Sequence, residues 1–375
     1  MIDLKPENVA EYLRQAYGPD ARLVDLGAIG TLDKQGIKRF GYGKPLLVRF
    51  EAGGELREGV LSVMRGDKYG HQFYWDRAAI LMFQFETSAR LPRHVRPMGL
   101  GYVDADNRLV PVTRPREFFI LNEKLTGYDY FLDLDRILKG GFRPEDLDMA
   151  RALARWMAGI HAQKRDDPDL YYRHVRNLIG ASECILGLID EAFPHPCGFL
   201  PDAAFIALEK RLVDWRWKLR GHAGRLAAVH GDVHPWNILV EPPDAQGGPG
   251  APPRGFSVLD RSRGEWGEPA SDLASLAANY LLFGLLHNPE SGRLTGPFAQ
   301  LWNALFTEYL DASGDAEILE VMAPFFVFRA LVIVSPEWYP NHPAPVRDAL
   351  VRFLTRVLDA SPFDWMGVNR LLEQP

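Results

Sequence analysis

An apolar run that ought to continue as one buried strand is broken in its middle by polar residues. The segment AAVHGDVHPWNILV, residues 227–240, begins and ends on small or branched apolar side chains. Between them it carries His230, Gly231, Asp232, His234, Pro235 and Asn237. A polar group buried without a hydrogen bond costs about 2–7 kcal/mol, and an unpaired charge far more. The segment is therefore incompatible with an uninterrupted core strand. It predicts a strand, a loop that presents an acid and an amide, and a second strand.

The 375 residues, 47% of them hydrophobic and 25% charged, have ordinary globular composition and predict two domains, or one large domain with a lobe. A net charge of −6 argues against a phosphate-dominated nucleic-acid binder and leaves small-molecule partners open. The two cysteines, Cys184 and Cys197, lie in no C-x-x-C or Cys/His cluster, which speaks against a structural zinc or a disulfide framework. They read as buried thiols. The N-terminal MIDLKPENVAEYLRQAYG lacks the basic and apolar blocks of a signal peptide. LASLAANYLLFGLLHN and VMAPFFVFRALVIV fall short of about 20 uninterrupted apolar residues or carry a charge. The expectation is a soluble cytoplasmic protein with no membrane and no nucleic-acid partner.

The chain changes character along its length. Between Ala21 and Leu125, ARLVDLGAIG, KPLLVRFEAGG and ELREGVLSVM are short runs punctuated by glycine, each predicting a strand. QFYWDRAAILMFQFETSARL predicts a helix, and RPMGLGYVD and REFFILNEKL predict two further strands. From Tyr130 on the pattern is helical: Met149, Leu153, Trp156, Met157 and Ile160 recur at spacings of three and four. Further helices are predicted near 172–192, 202–220, 270–286, 296–311, 316–335 and 345–359. The exception is 227–260, which predicts two or three short strands around a Pro/Gly-rich hairpin loop, EPPDAQGGPGAPPRG. The fold class is α+β. A small β-rich N-terminal domain, residues 1–125, joins a larger mainly helical C-terminal domain, residues 126–375, through a connection near 122–130.

Chemistry concentrates in the second domain. Asp232 is followed five residues later by Asn237, and a strand-like run from Phe256 to Leu259 ends on Asp260. An Asp ending a strand and an Asn from a neighbouring loop are hard oxygen ligands suited to Mg²⁺ carrying substrate phosphates. A separate Asp can orient a hydroxyl and accept its proton, the division of labour that phosphoryl transfer needs. A polar turn between two core strands is the plain alternative. A dinuclear phosphoesterase would need a G-N-H cluster, which the chain lacks, and a zinc site on His230 and His234 has no further ligands in the pattern.

H-G-D-x-H-x-x-N at residues 230–237, a strand ending on Asp260, and then Gly267, Glu268, Pro269, Asp272 and Leu273 together resemble the aminoglycoside phosphotransferase and choline kinase family. The resemblance covers residues 20–360. It implies the two-lobed protein-kinase-like fold, ATP and Mg²⁺ as cofactors, and transfer of the γ-phosphate to a hydroxyl of a small-molecule acceptor. It further implies Asp232 as catalytic acid/base, Asn237 and Asp260 as Mg²⁺ ligands, Asp272 as a brace for the catalytic loop, and His230 as support behind it.

A kinase-like N-terminal lobe should also carry a nucleotide-covering loop, a strand lysine and a helix acid. Gly27, Gly30, Gly41 and Gly43 supply the glycines of such a loop. In GVLSVMRGD, Ser62 stands at the register of the lysine, with Arg65, Lys68 and Lys44 as candidate substitutes. Asp76 stands where the helix acid is expected, or pairs as a surface charge with Arg77 or Lys68. The resemblance places Glu123 and Leu125 beside adenine, with Leu61 and Ile120 as candidates to sandwich the ring. Glu265, Glu268 and Asp272 either draw a cationic amine acceptor or brace the loop. His234 and Trp236 are candidates to face substrate, with Trp266, Trp302 and Trp338 as further pocket walls. Ser62 also motivates a reading from another class, a catalytically silent kinase-like protein that binds nucleotide or a partner.

Overall fold

The stripe of Val9 and Leu13 near the N-terminus belongs to a helix, α1 (Pro6–Tyr17), which opens on a proline at its first turn, where no N–H is needed. The sequence pattern assigns no element before Ala21. The computed structural model describes residues 4–28, 45–66, 70–113, 115–241 and 255–374. The chain divides into two compact units, Met1–Asn122 and Glu123–Pro375.

In the first unit, β1 (Arg22–Ala28), β2 (Leu46–Ala52) and β3 (Glu55–Leu61) form an antiparallel sheet in the order β1-β2-β3. Alternation along β2 turns Val48, Phe50 and Ala52 into a core completed by Val9, Leu13, Ala21 and Leu109. Helix α2 (Tyr74–Ser88) follows, and then a hairpin of β4 (Leu100–Val103) and β5 (Leu109–Val112). The strand expected at 116–125 does not form: residues 115–127 are neither strand nor helix. The Asp104 carboxylate accepts from the amides of Asp106 and Arg108, closing a tight turn that gives β4 a nearer partner. Phe119, Ile120 and Leu121 are left exposed, and Ile120 is 81% accessible, which is no strand-core environment.

The second unit begins with β6 (Tyr128–Asp129), α3 (Phe131–Leu138) and α4 (Pro144–His161). The helix expected over 172–192 is two, α5 (Pro168–Gly180) and α6 (Ile185–Ala192), broken after Gly180. Next come α7 (Asp202–Leu219), β7 (Ala227–Ala228), β8 (Ile238–Val240), β9 (Phe256–Val258) and β10 (Trp266–Gly267). The remaining helices are α8 (Ala270–His287), α9 (Gly296–Ser313), α10 (Ile318–Val321), α11 (Ala323–Val334), α12 (Ala344–Arg356) and α13 (Asn369–Leu372). The expected helix 316–335 is divided between α10 and α11, where Pro324 withholds an amide from the ladder.

Helix α8 is apolar on all sides and is buried from Ala270 to Leu285, the pattern of a helix enclosed by others. It packs on α9 and α11, and α9 packs on α4. Trp302 is 1% exposed among Phe306, Phe326 and Phe363 and donates to the Trp365 carbonyl at 2.9 Å, so it is a core residue rather than a pocket wall. Among the described residues, no helix is long and apolar enough to cross a membrane. Chain order thus carries a small sheet-containing unit followed by a larger mainly helical one, the α+β class that the sequence predicts.

Candidate active site

The polar interruption at 230–237 joins two short sheets. Upstream, β7 pairs with β10, Trp266 opposite Ala228, and is tied to the end of α4 by the Ala228 amide donating to the Gln163 carbonyl at 2.9 Å. Downstream, a 3₁₀ turn at Pro235–Asn237 leads into β8, the centre of the antiparallel sheet β6-β8-β9. Strand β9 pairs Val258 with Ile238, and the Leu259 amide donates to the Asn237 carbonyl at 2.9 Å. Asn237 and Asp260 therefore leave neighbouring ends of two paired strands. Asp260 is exposed at φ 55°, in the left-handed region that few non-glycine residues occupy and that is enriched at functional sites. The loop EPPDAQGGPGAPPRG that joins β8 to β9 lies almost wholly outside the described residues.

Two buried acids brace this region. Asp272, in the first turn of α8 and wholly buried, accepts from the His230 amide at 2.8 Å, the Gly231 amide at 2.7 Å and faces His161 Nε2 at 3.2 Å. Burial pushes its carboxyl up, but the hydrogen bond and charge of His161 with the two amides bring it below the usual carboxylate value. Glu268, also wholly buried, receives Arg225 at 2.9 Å and the Tyr171 hydroxyl at 2.8 Å. The same guanidinium grips Asp315 at 2.6 and 2.7 Å. Of the three acids that could have drawn a cationic acceptor, these two are thus committed to bracing; Glu265 is exposed, and its carbonyl accepts from Val229 and Arg261.

Gly231, at φ +90°, lets the chain turn between those amides and Asp232; a Cβ there would stand 3.1 Å from Arg263 Cβ. Asp232 is buried, and its charge is met by two arginines. Arg329 Nη1 stands 2.7 Å from Oδ1, off hydrogen-bond alignment, so Oδ1 keeps no hydrogen-bond partner among the described residues. Arg263 Nε donates to Oδ2 at 3.2 Å. Burial raises the Asp232 carboxyl, the guanidiniums of Arg329 and Arg263 lower it, and the net displacement is downward. Asn237 Nδ2 donates to the Asp232 carbonyl at 3.1 Å, and the amide oxygen is the side chain's acceptor.

His230 is buried, its Nδ1 accepting from the Asp232 amide at 3.2 Å and its ring edge-to-face with Trp156. His234 Nδ1 accepts from the Trp236 amide at 3.3 Å, and burial holds its pKa below the usual value. Trp236 stacks on Phe131 at 4.7 Å with its other side partly open. The remaining expected residues stand in other elements of the chain. Ser62 falls one residue beyond the end of β3 and is exposed, so it is not a strand position. Arg65 is exposed in the segment that follows. Asp76 accepts from the Phe73 amide at 3.0 Å, capping its own helix. Glu123 and Leu125 are exposed in the segment without regular structure. Gly30, Gly41, Gly43, Lys44 and Lys68 lie outside the described residues.

Sequence reasoning missed Arg263, Arg329 and Arg225. Arg329 was visible as the single charge in APFFVFRALVIV, and Arg263 as one of two arginines after Asp260. Nothing in the local pattern distinguishes Arg225. The asparagine and aspartate at the strand ends offer the hard oxygen donors that Mg²⁺ takes alongside substrate phosphates and water. Among the described residues no three His, Cys, Asp or Glu side chains converge on a metal, so a cation here would draw its other ligands from phosphate or water.

The family model of the phosphotransferase enzyme family matches residues 102–304, which contain His230, Asp232, Asn237, Asp260 and Asp272. No curated protein matches the chain. Among solved structures, it is similar to an ethanolamine kinase of Plasmodium vivax at 13% identity, covering 93% of this chain and 80% of that one with a TM-score of 0.35. It is similar to a microcompartment-associated aminopropanol kinase at 14% identity, covering 96% and 100% with a TM-score of 0.31. A glucosamine kinase matches at 16% identity, covering 99% and 96% with a TM-score of 0.34.

Proposed function

As the chain belongs to the phosphotransferase enzyme family, we propose that it moves the γ-phosphate of ATP, with Mg²⁺, onto a hydroxyl of a small molecule. What supports this reading is one arrangement: Asp272 holds the amides of His230 and Gly231, so that Asp232 sits in a fixed loop beside the strand ends carrying Asn237 and Asp260. Asn237 and Asp260 are the residues that would hold Mg²⁺, which when bound neutralises charge on the phosphates. Asp232 aligns the acceptor hydroxyl. In a loose transition state the hydroxyl proton leaves late, and two guanidiniums keep this carboxylate ionised, so alignment rather than strong basicity is its contribution. Arg329 Nη1 stands 2.7 Å from its Oδ1 and Arg263 Nε 3.2 Å from its Oδ2, which fixes the carboxylate's orientation in the loop. His230 and Asp272 hold the loop. Glu123 and Leu125 are proposed beside adenine; Arg65 is the described cation proposed to stand in for the strand lysine.

That β3 (Glu55–Leu61) carries no lysine favours a second reading, a family member that binds nucleotide without turning it over. Asp232→Asn separates the two, measured as ADP formation across a panel of small hydroxyl compounds. Turnover at least 100-fold below wild type, with Mg-ATP binding retained, is expected. Unchanged turnover would remove Asp232 from the mechanism. A wild type that binds Mg-ATP but releases no ADP with any acceptor would give the lead to the silent reading.

A further inference from the structure

The charges around Asp232 are unbalanced. Two guanidiniums, Arg263 and Arg329, face a single carboxylate within 3.2 Å. Arg329 is 6% exposed; its Nη2 reaches the Gly231 carbonyl at 3.3 Å, and its buried Nε has no hydrogen-bond partner among the described residues. Arg263 spends Nε on Asp232 and Nη1 on the Glu183 carbonyl at 2.8 Å, and its Nη2 has no acceptor among the described residues. Both guanidiniums lie near the Phe328 ring, at 5.2 and 4.7 Å, which keeps their faces from water. The acids that could restore balance are occupied or remote in effect: Asp260, exposed, is the proposed Mg²⁺ ligand. Glu268 and Asp272 are wholly buried in their own bonds, and Glu183, 3.8 Å from Arg263, is 79% exposed and screened by solvent. A pocket built for a cationic amine would show the opposite sign.

We infer that the acceptor carries an anionic group beside the hydroxyl it offers, and that Arg263, backed by the buried Arg329, receives that anion while Asp232 receives the hydroxyl. The inference rests on the phosphotransferase reading of the same site. A guanidinium suits a carboxylate or a phosphate, here through the N–H donors of Arg263 Nη2, where an ammonium group would meet repulsion from both arginines. The transfer itself balances without further reagents: the acceptor oxygen bonds to the γ-phosphorus, the bond from that phosphorus to the bridging oxygen breaks, ADP leaves, and the hydroxyl proton is released.

The test measures dissociation constants by calorimetry on the full chain saturated with Mg²⁺ and a non-hydrolysable ATP analogue. The probes are 3-hydroxypropionate, glycerol 3-phosphate, 1,3-propanediol and 3-amino-1-propanol. Expected is binding of at least one anion ten times tighter or more than the diol and the amine; which anion binds identifies carboxylate or phosphate. Arg263→Met should bring that ratio to within threefold of unity while Mg-ATP affinity stays within threefold, and Arg370→Met, on the surface, should change neither. Tighter binding of the amine, equal binding of all four, or no binding of either anion at 10 mM overturns the inference and leaves the kinase reading standing. Arg263→Met that weakens Mg-ATP and spares the anion preference also overturns it, by assigning the arginine to the donor. Failure of Mg-ATP itself to stabilise the wild type would instead refute the underlying reading.

Discussion

Removing the Asp272 carboxylate should loosen the loop that carries Asp232 before it disturbs anything else. The acid accepts two backbone N–H groups, from His230 and Gly231, at 2.8 and 2.7 Å in a fully buried site. In Asp272→Ala both amides lose their acceptor where water cannot replace it. Each unsatisfied group costs about 1–3 kcal/mol, so the local penalty is about 2–6 kcal/mol. At about 1.4 kcal/mol per factor of ten, hydrogen exchange at these two amides should accelerate roughly 30- to 20 000-fold. Asp272→Asn keeps one acceptor oxygen and should fall near half that energy. The pH dependence carries a sign. The folded carboxyl lies below its unfolded value, so its contribution is fully present above about pH 3.9 and is lost as pH falls through the folded value. The difference between wild type and Asp272→Ala should therefore stay level from pH 5 to 8 and close in acid below that. Exchange at residues 230 and 231 within threefold of wild type at pH 7 would refute the reasoning.

Mg-ATP at about 100 times its dissociation constant should stabilise the wild type by roughly 2.7 kcal/mol, and Asp260→Asn should lose the Mg²⁺-dependent part in a thermal-unfolding series. Arg225→Met leaves Glu268 and Asp315 facing each other without their shared cation, and breaking such a buried pair should cost about 3–5 kcal/mol in denaturant unfolding. Gly231→Ala forces a side chain into the left-handed region against Arg263 and should lower stability by about 1–3 kcal/mol while cutting ADP formation, since the strain falls beside Asp232. A Gly231→Ala protein with wild-type stability and turnover would show that the loop tolerates another path.

What could be read from the chain was whatever local chemistry specifies. Asp232, Asn237 and Asp260 stood out because each interrupts or ends an apolar run, and Asp272 because it opens an apolar helix after Gly-Glu-Pro. The 116–125 segment was misread because Phe118–Leu121 has the composition of a strand, while a four-residue turn at Asp104–Asn107 gives β4 a closer partner. Composition does not say which of two neighbours a strand will choose. The helix breaks at Gly180 and Met322 were hidden for a similar reason, since apolar periodicity runs through both. Glu268 could not be sorted between binding and bracing until Arg225, 43 residues away, came into contact with it. Arg329 was legible as an anomaly but not as a counter-charge, because its pairing depends on how α11 packs.

The distance along the chain between Arg329 and the loop it serves has a consequence in time. The guanidinium that meets Gly231 and Asp232 is supplied 98 residues after that glycine. At synthesis rates of about 5–20 residues per second, the loop waits roughly 5–20 s for it. Through that interval the newborn acid has none of its α11 counter-cation, and α8, which supplies Asp272, arrives first. The order of synthesis supplies Asp272 and Arg263 before Arg329, so the brace and one counter-cation precede the second.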